Sequence, residues 1–169
     1  RDELDRVLDG LGQAAVAVAD IYVRKGELDD AAQRYQKELR EFPNLAHLIY
    51  PKIGDLYYQK NDFARALEQY RKALESVPLR QMADVQFKIA EIFQAQGKRK
   101  EAVEEYLKVL YLYSGNKPLE VRSLLRIAQI YENEENWPEA RKAYQKIIDM
   151  GVAESQTARE RLEALTQQK

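Results

Sequence analysis

The 169-residue sequence contains no cysteine, one histidine and one tryptophan. Without cysteine there is no disulfide, zinc ribbon or nucleophilic thiol. The single histidine, His47, stands in carboxylate-poor sequence, which points to a surface or partly packed residue rather than a ligand. None of the seven glycines belongs to a phosphate-binding loop. Long apolar runs are also missing. The longest, Ala14 to Ala19, has six residues, far short of the ~20 that a membrane-spanning helix needs, so this segment is expected not to insert directly into a membrane. Nor does one sign of charge dominate: 27 Lys and Arg stand against 28 Asp and Glu, a net charge of −1. That balance gives no overall pull toward nucleic acid or acidic lipid. The basic turn Lys98-Arg99-Lys100 is flanked by Glu101 and Glu104, whose charges argue against a nucleic-acid patch there. The carboxylates Glu132, Glu134 and Glu135 lack the glycine and the spacing of a calcium loop. The expectation is a chain with no catalytic role, no cofactor, no metal and no nucleic-acid partner.

What is present is an internal repeat. Ala31, Ala66, Ala102 and Ala140 recur at spacings of 35, 36 and 38 residues. Three other columns move with them: Ala19, Gly54, Ala90 and Ala128; Tyr22, Tyr57, Phe93 and Tyr131; and Tyr35, Tyr70, Tyr106 and Tyr144. From the first small residue to the later tyrosine the distance is always 16 residues. The unit is therefore rigid, and insertions fall in the connections. Within a unit, apolar residues fall three and four apart, the stripe of an amphipathic helix. Short polar turns interrupt the stripe at Lys25-Gly26-Glu27, Lys60-Asn61-Asp62, Gln96-Gly97-Lys98 and Glu135-Asn136. Asp62 and Asn136 are N-cap candidates for the helices that follow. Pro138 and Glu139 suit a first helical turn, and Pro43 and Pro78 close the first two units. Each unit reads as an antiparallel helix pair. Its small residues permit close approach of the axes, and its aromatics fill the wedge toward the next pair.

These residues resemble the tetratricopeptide repeat. The second unit carries Ile53-Gly54, Tyr57, Asn61, Phe63, Ala66, Tyr70, Ala73 and Pro78. The third carries Ile89-Ala90, Phe93, Gly97, Ala102, Tyr106 and Val109. The resemblance covers roughly residues 12–154 and implies an all-α, right-handed superhelix of antiparallel helix pairs. The expected units are 12–45, 47–80, 83–116 and 121–154, followed by a capping helix over 155–167. The chain departs from the family pattern at its usual first-helix tryptophan, replaced by Ala15, Tyr50, Gln86 and Leu124. Arg99 takes an aromatic place, and Pro51 is expected to kink or delay its helix. Ala158, Leu162 and Leu165 continue the first-helix stripe, with Arg161 at a formerly apolar place, which suits a solvated cap with Gln167-Gln168-Lys169 as its tail. At the front, Leu4, Val7, Leu8 and Leu11 form a stripe ending near Gly10 and Gly12. It reads either as the end of a preceding unit's second helix or as an N-terminal cap.

In this family the first helices line a concave face where ligands lie. Carried over, that geometry gives a groove of Val16, Asp20 and Val23; Leu48, Pro51, Asp55 and Tyr58; Asp84, Phe87, Glu91 and Gln94; and Arg122, Leu125, Gln129 and Glu132. Its mixed apolar and acidic rows suit an amphipathic or extended peptide with some basic residues. Exposed Phe87 and Tyr58 are the expected apolar contacts. The competing reading is a solvated face on which Lys52 neutralises Asp55 and Lys88 neutralises Glu91. The family's clamp for the terminal carboxylate of chaperones fits poorly. One register places Val16, Asp20, Lys52, Asp84 and Lys88 in it, and the next places Pro51, Asp55, Lys88, Arg122 and Arg126, so acidic residues fall where the clamp needs donors. The resemblance thus implies a protein- or peptide-binding scaffold. The 35–38-residue drift and the ending Ala158-Arg159-Glu160-Arg161-Leu162 also resemble bacterial envelope members of the family, periplasmic or anchored at the outer membrane. A self-associating scaffold forming homo-oligomers is the alternative.

Overall fold

In the computed structural model, residues 2–166 are described; the tail Gln167-Gln168-Lys169 lies outside them. They contain nine α-helices and no strand. Two compact units are divided between Val85 and Gln86. The first holds α1 (Asp2–Lys25), α2 (Leu28–Glu41), a 3₁₀ turn (Pro43–Leu45), α3 (Ala46–Gln59) and α4 (Phe63–Ser76). The division falls inside α5 (Leu79–Ala95). The second holds α6 (Arg99–Tyr111), α7 (Lys117–Asn133), α8 (Trp137–Asp149) and α9 (Ser155–Thr166). Consecutive helices pack against one another: α1 on α2 and α3 on α4 in the first unit, α7 on α8 and α8 on α9 in the second.

The small-residue columns sit at the closest approaches. Ala19, Ala31, Ala66, Ala90, Ala102, Ala128 and Ala140 have no exposed surface. A Cβ added at Gly54 would lie 2.5 Å from Cε1 of Tyr70. Among the aromatics, Tyr35, Tyr70, Tyr106 and Tyr144 are buried. Of the first-helix column only Tyr57 is buried; Tyr22, Phe93 and Tyr131 stay half-buried. Cations cover several of these rings. Arg34 lies 4.3 Å from the Tyr22 centroid, Arg65 4.6 Å from Tyr57 and Lys98 5.8 Å from Phe93.

All four intra-pair turns share one device. Gly26, Asn61, Gly97 and Glu135 have positive φ. The N–H of the next residue (Glu27, Asp62, Lys98 or Asn136) then donates to the carbonyl of the first-helix aromatic (Tyr22, Tyr57, Phe93 or Tyr131) at 2.8–3.0 Å. That 6→1 bond satisfies a helix-end carbonyl, as in a Schellman motif.

Several expectations are corrected. The stripe Leu4–Leu11 is no separate element, because α1 runs unbroken through Gly10 and Gly12. Gly12 is required by close approach: a Cβ there would meet Leu45 Cδ1 at 2.6 Å. Helix α3 starts at Ala46 and runs through Pro51. Asp62 caps α4, accepting from the Arg65 N–H at 3.1 Å. Asn136 makes no side-chain capping bond, since Pro138 removes one of the two N–H groups such a cap serves. Asn116 caps α7 instead, accepting from the Leu119 N–H at 3.2 Å. In α9, Ala158 and Leu165 are buried and Leu162 is half-buried.

Candidate functional site

In the first unit the first-helix rows of α1 and α3 line a cleft of about 430 Å³. Asp20, Val23 and Arg24 come from α1, and Lys52, Asp55 and Gln59 from α3. The carboxylates are held from behind by the second helices. The Tyr35 hydroxyl on α2 donates to Asp20, and the Tyr70 hydroxyl on α4 donates to Asp55 at 2.5 Å. Burial pushes the Tyr35 hydroxyl pKa far up, reinforced by its bond to Asp20, so the phenol stays a donor. Lys52 donates to both Asp20 oxygens at 2.9 Å. This corrects the expected Lys52–Asp55 pairing on one helix: the lysine bridges to the preceding first helix.

The second unit repeats the scheme with shifted partners. Glu91 lies 3.5 Å from Arg126 on the next first helix. The Tyr106 hydroxyl donates to Gln94 and the Tyr144 hydroxyl to Glu132, both at 2.6 Å. Arg161 on α9 takes the other Glu132 oxygen at 2.8 Å. Burial raises the Tyr144 pKa, followed by its bond to Glu132. Thus a tyrosine hydroxyl anchors a first-helix polar side chain in every repeat. The partner lies one residue past the small position in the first two repeats and four past it in the last two. The constant 16-residue spacing carried this signal, and reading the tyrosines only as apolar filler missed it.

Two expected groove residues are not surface. Val16 is 4% exposed and Phe87 3% exposed. Phe87 packs edge-on against Tyr106, with ring centroids 5.2 Å apart, and the Arg122 guanidinium lies 4.6 Å from its centroid. Phe87 is therefore a core residue roofed by Arg122, because the slot beside Tyr106 accommodates a ring and its aliphatic–cationic neighbour closes it. Val23, Tyr58, Gln94 and Leu125 are half-buried and Arg122 is exposed. Tyr58 stacks edge-on with Phe63 at 5.7 Å.

Three hollows elsewhere have no counterpart in the sequence pattern. One of about 690 Å³ lies over Tyr22, Gln33, Arg34 and Lys37 and is polar. Adjoining hollows of about 190 and 430 Å³ in the second unit share Val103, Leu107 and Tyr131. Among the described residues no His, Asp and Glu cluster could hold a metal, and no helix is long and apolar enough to cross a membrane. His47 Nδ1 lies 3.0 Å from the Asn44 carbonyl oxygen.

Three family models described as tetratricopeptide repeat match residues 14–43, 49–77 and 81–151. No curated protein matches the chain. Among solved structures, a tetratricopeptide repeat protein from Parabacteroides merdae is similar at 17% identity and a TM-score of 0.70, covering 92% of this chain and 60% of that one. YrrB, described as a TPR protein with an unusual peptide-binding site, is similar at 18% identity and a TM-score of 0.60, covering 80% and 66%. The N-terminal domain of stress-induced protein-1 from C. elegans is similar at 15% identity and a TM-score of 0.62, covering 73% and 96%. The chain thus spans less than two thirds of the first two. At these identities the likeness is one of fold.

Proposed function

From the premise that this chain belongs to the tetratricopeptide repeat family, a family of protein-interaction scaffolds, we propose that it binds an extended or amphipathic peptide segment carrying basic residues. The site proposed is the α1–α3 cleft of the first unit. The observation that carries the reading is the pair of half-buried carboxylates, Asp20 and Asp55, each fixed by a tyrosine hydroxyl from behind and facing a cleft of about 430 Å³. Fixing both acids in advance lowers the entropy lost when a cationic side chain docks, and such a side chain would share Asp20 with Lys52, which already donates to both of its oxygens. Val23 and the Lys52 and Gln59 stems offer apolar surface beside them. YrrB, whose fold is similar, is described as having an unusual peptide-binding site, which supports a peptide as the ligand class. A role in the bacterial cell envelope, periplasmic or at the outer membrane, is part of the proposal and rests only on the resemblance of the repeat lengths and of the ending Ala158-Arg159-Glu160-Arg161-Leu162.

The test uses a peptide selected from a random library against the intact chain. Asp55→Lys should weaken its binding at least tenfold, about 1.4 kcal/mol, and remove the increase in association rate at low salt. The far-UV circular dichroism should not change. Wild-type affinity in a folded Asp55→Lys variant would move the site elsewhere, with the Val103–Leu107–Tyr131 hollows as the next surface.

A further inference from the structure

Every described residue of α1 from Asp2 to Leu11 is exposed. An isolated helix of that length is marginal in water, where roughly 12–15 residues are needed. Beside its charged residues this exposed stretch carries an apolar row. Leu4, Val7, Leu11 and Val18 are 63, 53, 57 and 41% exposed, and Ile21 is 42% exposed. With Ala14 they recur at alternating steps of three and four, an uninterrupted a/d heptad seam of three repeats. It runs about 26 Å along the helix at 1.5 Å per residue. The face that packs on α2 is a different one, carrying Gly12, Val16 and Ala19. Helix α1 therefore has two apolar faces, of which the described residues cover one.

We propose that the second face pairs with α1 of a second copy of this chain, as an antiparallel two-stranded coiled coil. In that orientation the large and small residues of the seam complement one another. A two-fold axis between Gly12 and Gln13 sets Leu4 against the partner's Ile21, Val7 against the partner's Val18 and Leu11 against the partner's Ala14. Every layer then joins an a position to a d position, and the central layers join a large residue to a small one, which lets the helices approach closely. The flanking positions agree. Gly10 faces the partner's Ala17 across the axis, and Glu3 faces the partner's Arg24. The acidic first turn of α1 (Asp2, Glu3, Asp5) thereby meets the basic last turn (Arg24, Lys25) of the other copy. A parallel pair would set acid against acid and base against base. Head-to-tail stacking is disfavoured because the outer face of α9 exposes Gln156, Arg159, Glu160 and Glu163, which offer the seam no apolar partner. The Leu4–Ile21 seam lies on another face of α1 from Asp20, although its flanking Ala17 and Arg24 also border the cleft; the pairing does not depend on peptide binding.

Light scattering on the intact chain should give a mass rising with concentration toward about 39 kDa, twice the 19.7 kDa of one chain. Leu11→Glu and Val18→Glu change exposed positions, so each should stay folded by circular dichroism and remain at the monomer mass. Orientation is read by cross-linking, which the absence of native cysteine makes clean. A mixture of Leu4→Cys and Ile21→Cys chains should form a disulfide-linked dimer under oxidation, whereas Leu4→Cys alone should not. Monomer mass at every concentration overturns the proposal. So does a dimer that survives both glutamate variants, or a Leu4→Cys chain that cross-links with its own copy.

Discussion

Glu135 holds a backbone conformation that glycine or asparagine holds in the other three repeats. Its φ is +56°, against +79° at Gly26, +56° at Asn61 and +72° at Gly97. An L-residue other than Gly or Asn pays steric strain of about 1–2 kcal/mol there, because Cβ approaches the neighbouring carbonyl. The turn still closes, through the Asn136 N–H to the Tyr131 carbonyl at 2.8 Å. Glu135→Gly relieves the strain but gives the unfolded chain more freedom, so the net gain is about 1 kcal/mol. For a chain of this size that raises the melting temperature by roughly 2–4 °C. An unchanged or lowered midpoint in a thermal scan contradicts this. The same substitution logic does not extend to Phe87. Its burial beside Tyr106 makes Phe87→Ala a probe of the core, so it is unsuitable as a binding probe.

At the scale of the helix pair, the small-residue columns set how closely the elements pack. Gly54 is the tightest case, with Tyr70 lying where a Cβ would go. Gly54→Leu must displace the Tyr70 ring and break its bond to Asp55, at a cost on the order of 1–3 kcal/mol or more. Leu162→Ala on α9 should cost less, because that side chain is only half-buried and the helix packs chiefly on α8. Urea unfolding of the two variants measures the order, and equal losses would refute the proposed register. The pairing of helices was legible in the sequence because the 3.6-residue stripe, the Gly or Asn turns and the alanine columns each arise from local chemistry repeated four times. The candidate site was legible only in part. Asp20 and Asp55 were found because they share a column, yet their tyrosine partners lie 15 residues away on another helix, which periodicity alone does not pair. The Asp20–Lys52 bridge spans 32 residues and two elements and was read as a local Lys52–Asp55 pair. Phe87 occupies a groove column, but its burial depends on the neighbouring Tyr106 and Arg122, not on its own helix phase. The length of α1 was missed for the opposite reason: Gly10 and Gly12 read as breakers, whereas in the fold Gly12 is a contact residue against Leu45.

Across the whole chain, the recurring buried tyrosines couple stability to alkaline pH. Tyr35 in the first unit and Tyr144 in the second both have pKa values raised above 10.0, by burial first and by donation to a carboxylate second. Tyr131 is raised too, by burial and then by Glu139 and Glu134. A raised folded pKa means that the folded state holds its protons more tightly than the unfolded chain does. Their contribution is then fully present below about pH 10, and is lost as pH climbs through the unfolded value toward the folded one. Stability should therefore be level from neutral pH to about pH 9.5 and fall above about pH 10. Lysine deprotonation also begins in that range, so the wild-type curve alone does not assign the loss. Tyr35→Phe separates the two. It removes one buried donor while Lys52 keeps its hold on Asp20. At neutral pH it should cost about 0.5–1.5 kcal/mol, the net worth of one hydrogen bond. Above about pH 10 the variant has no Tyr35 proton to lose in the unfolded state, so its stability falls less steeply and the gap to wild type narrows. Chemical denaturation at neutral pH and at about pH 11 measures both gaps. A gap that stays constant between the two would show that the Tyr35 proton is not held more tightly in the folded chain.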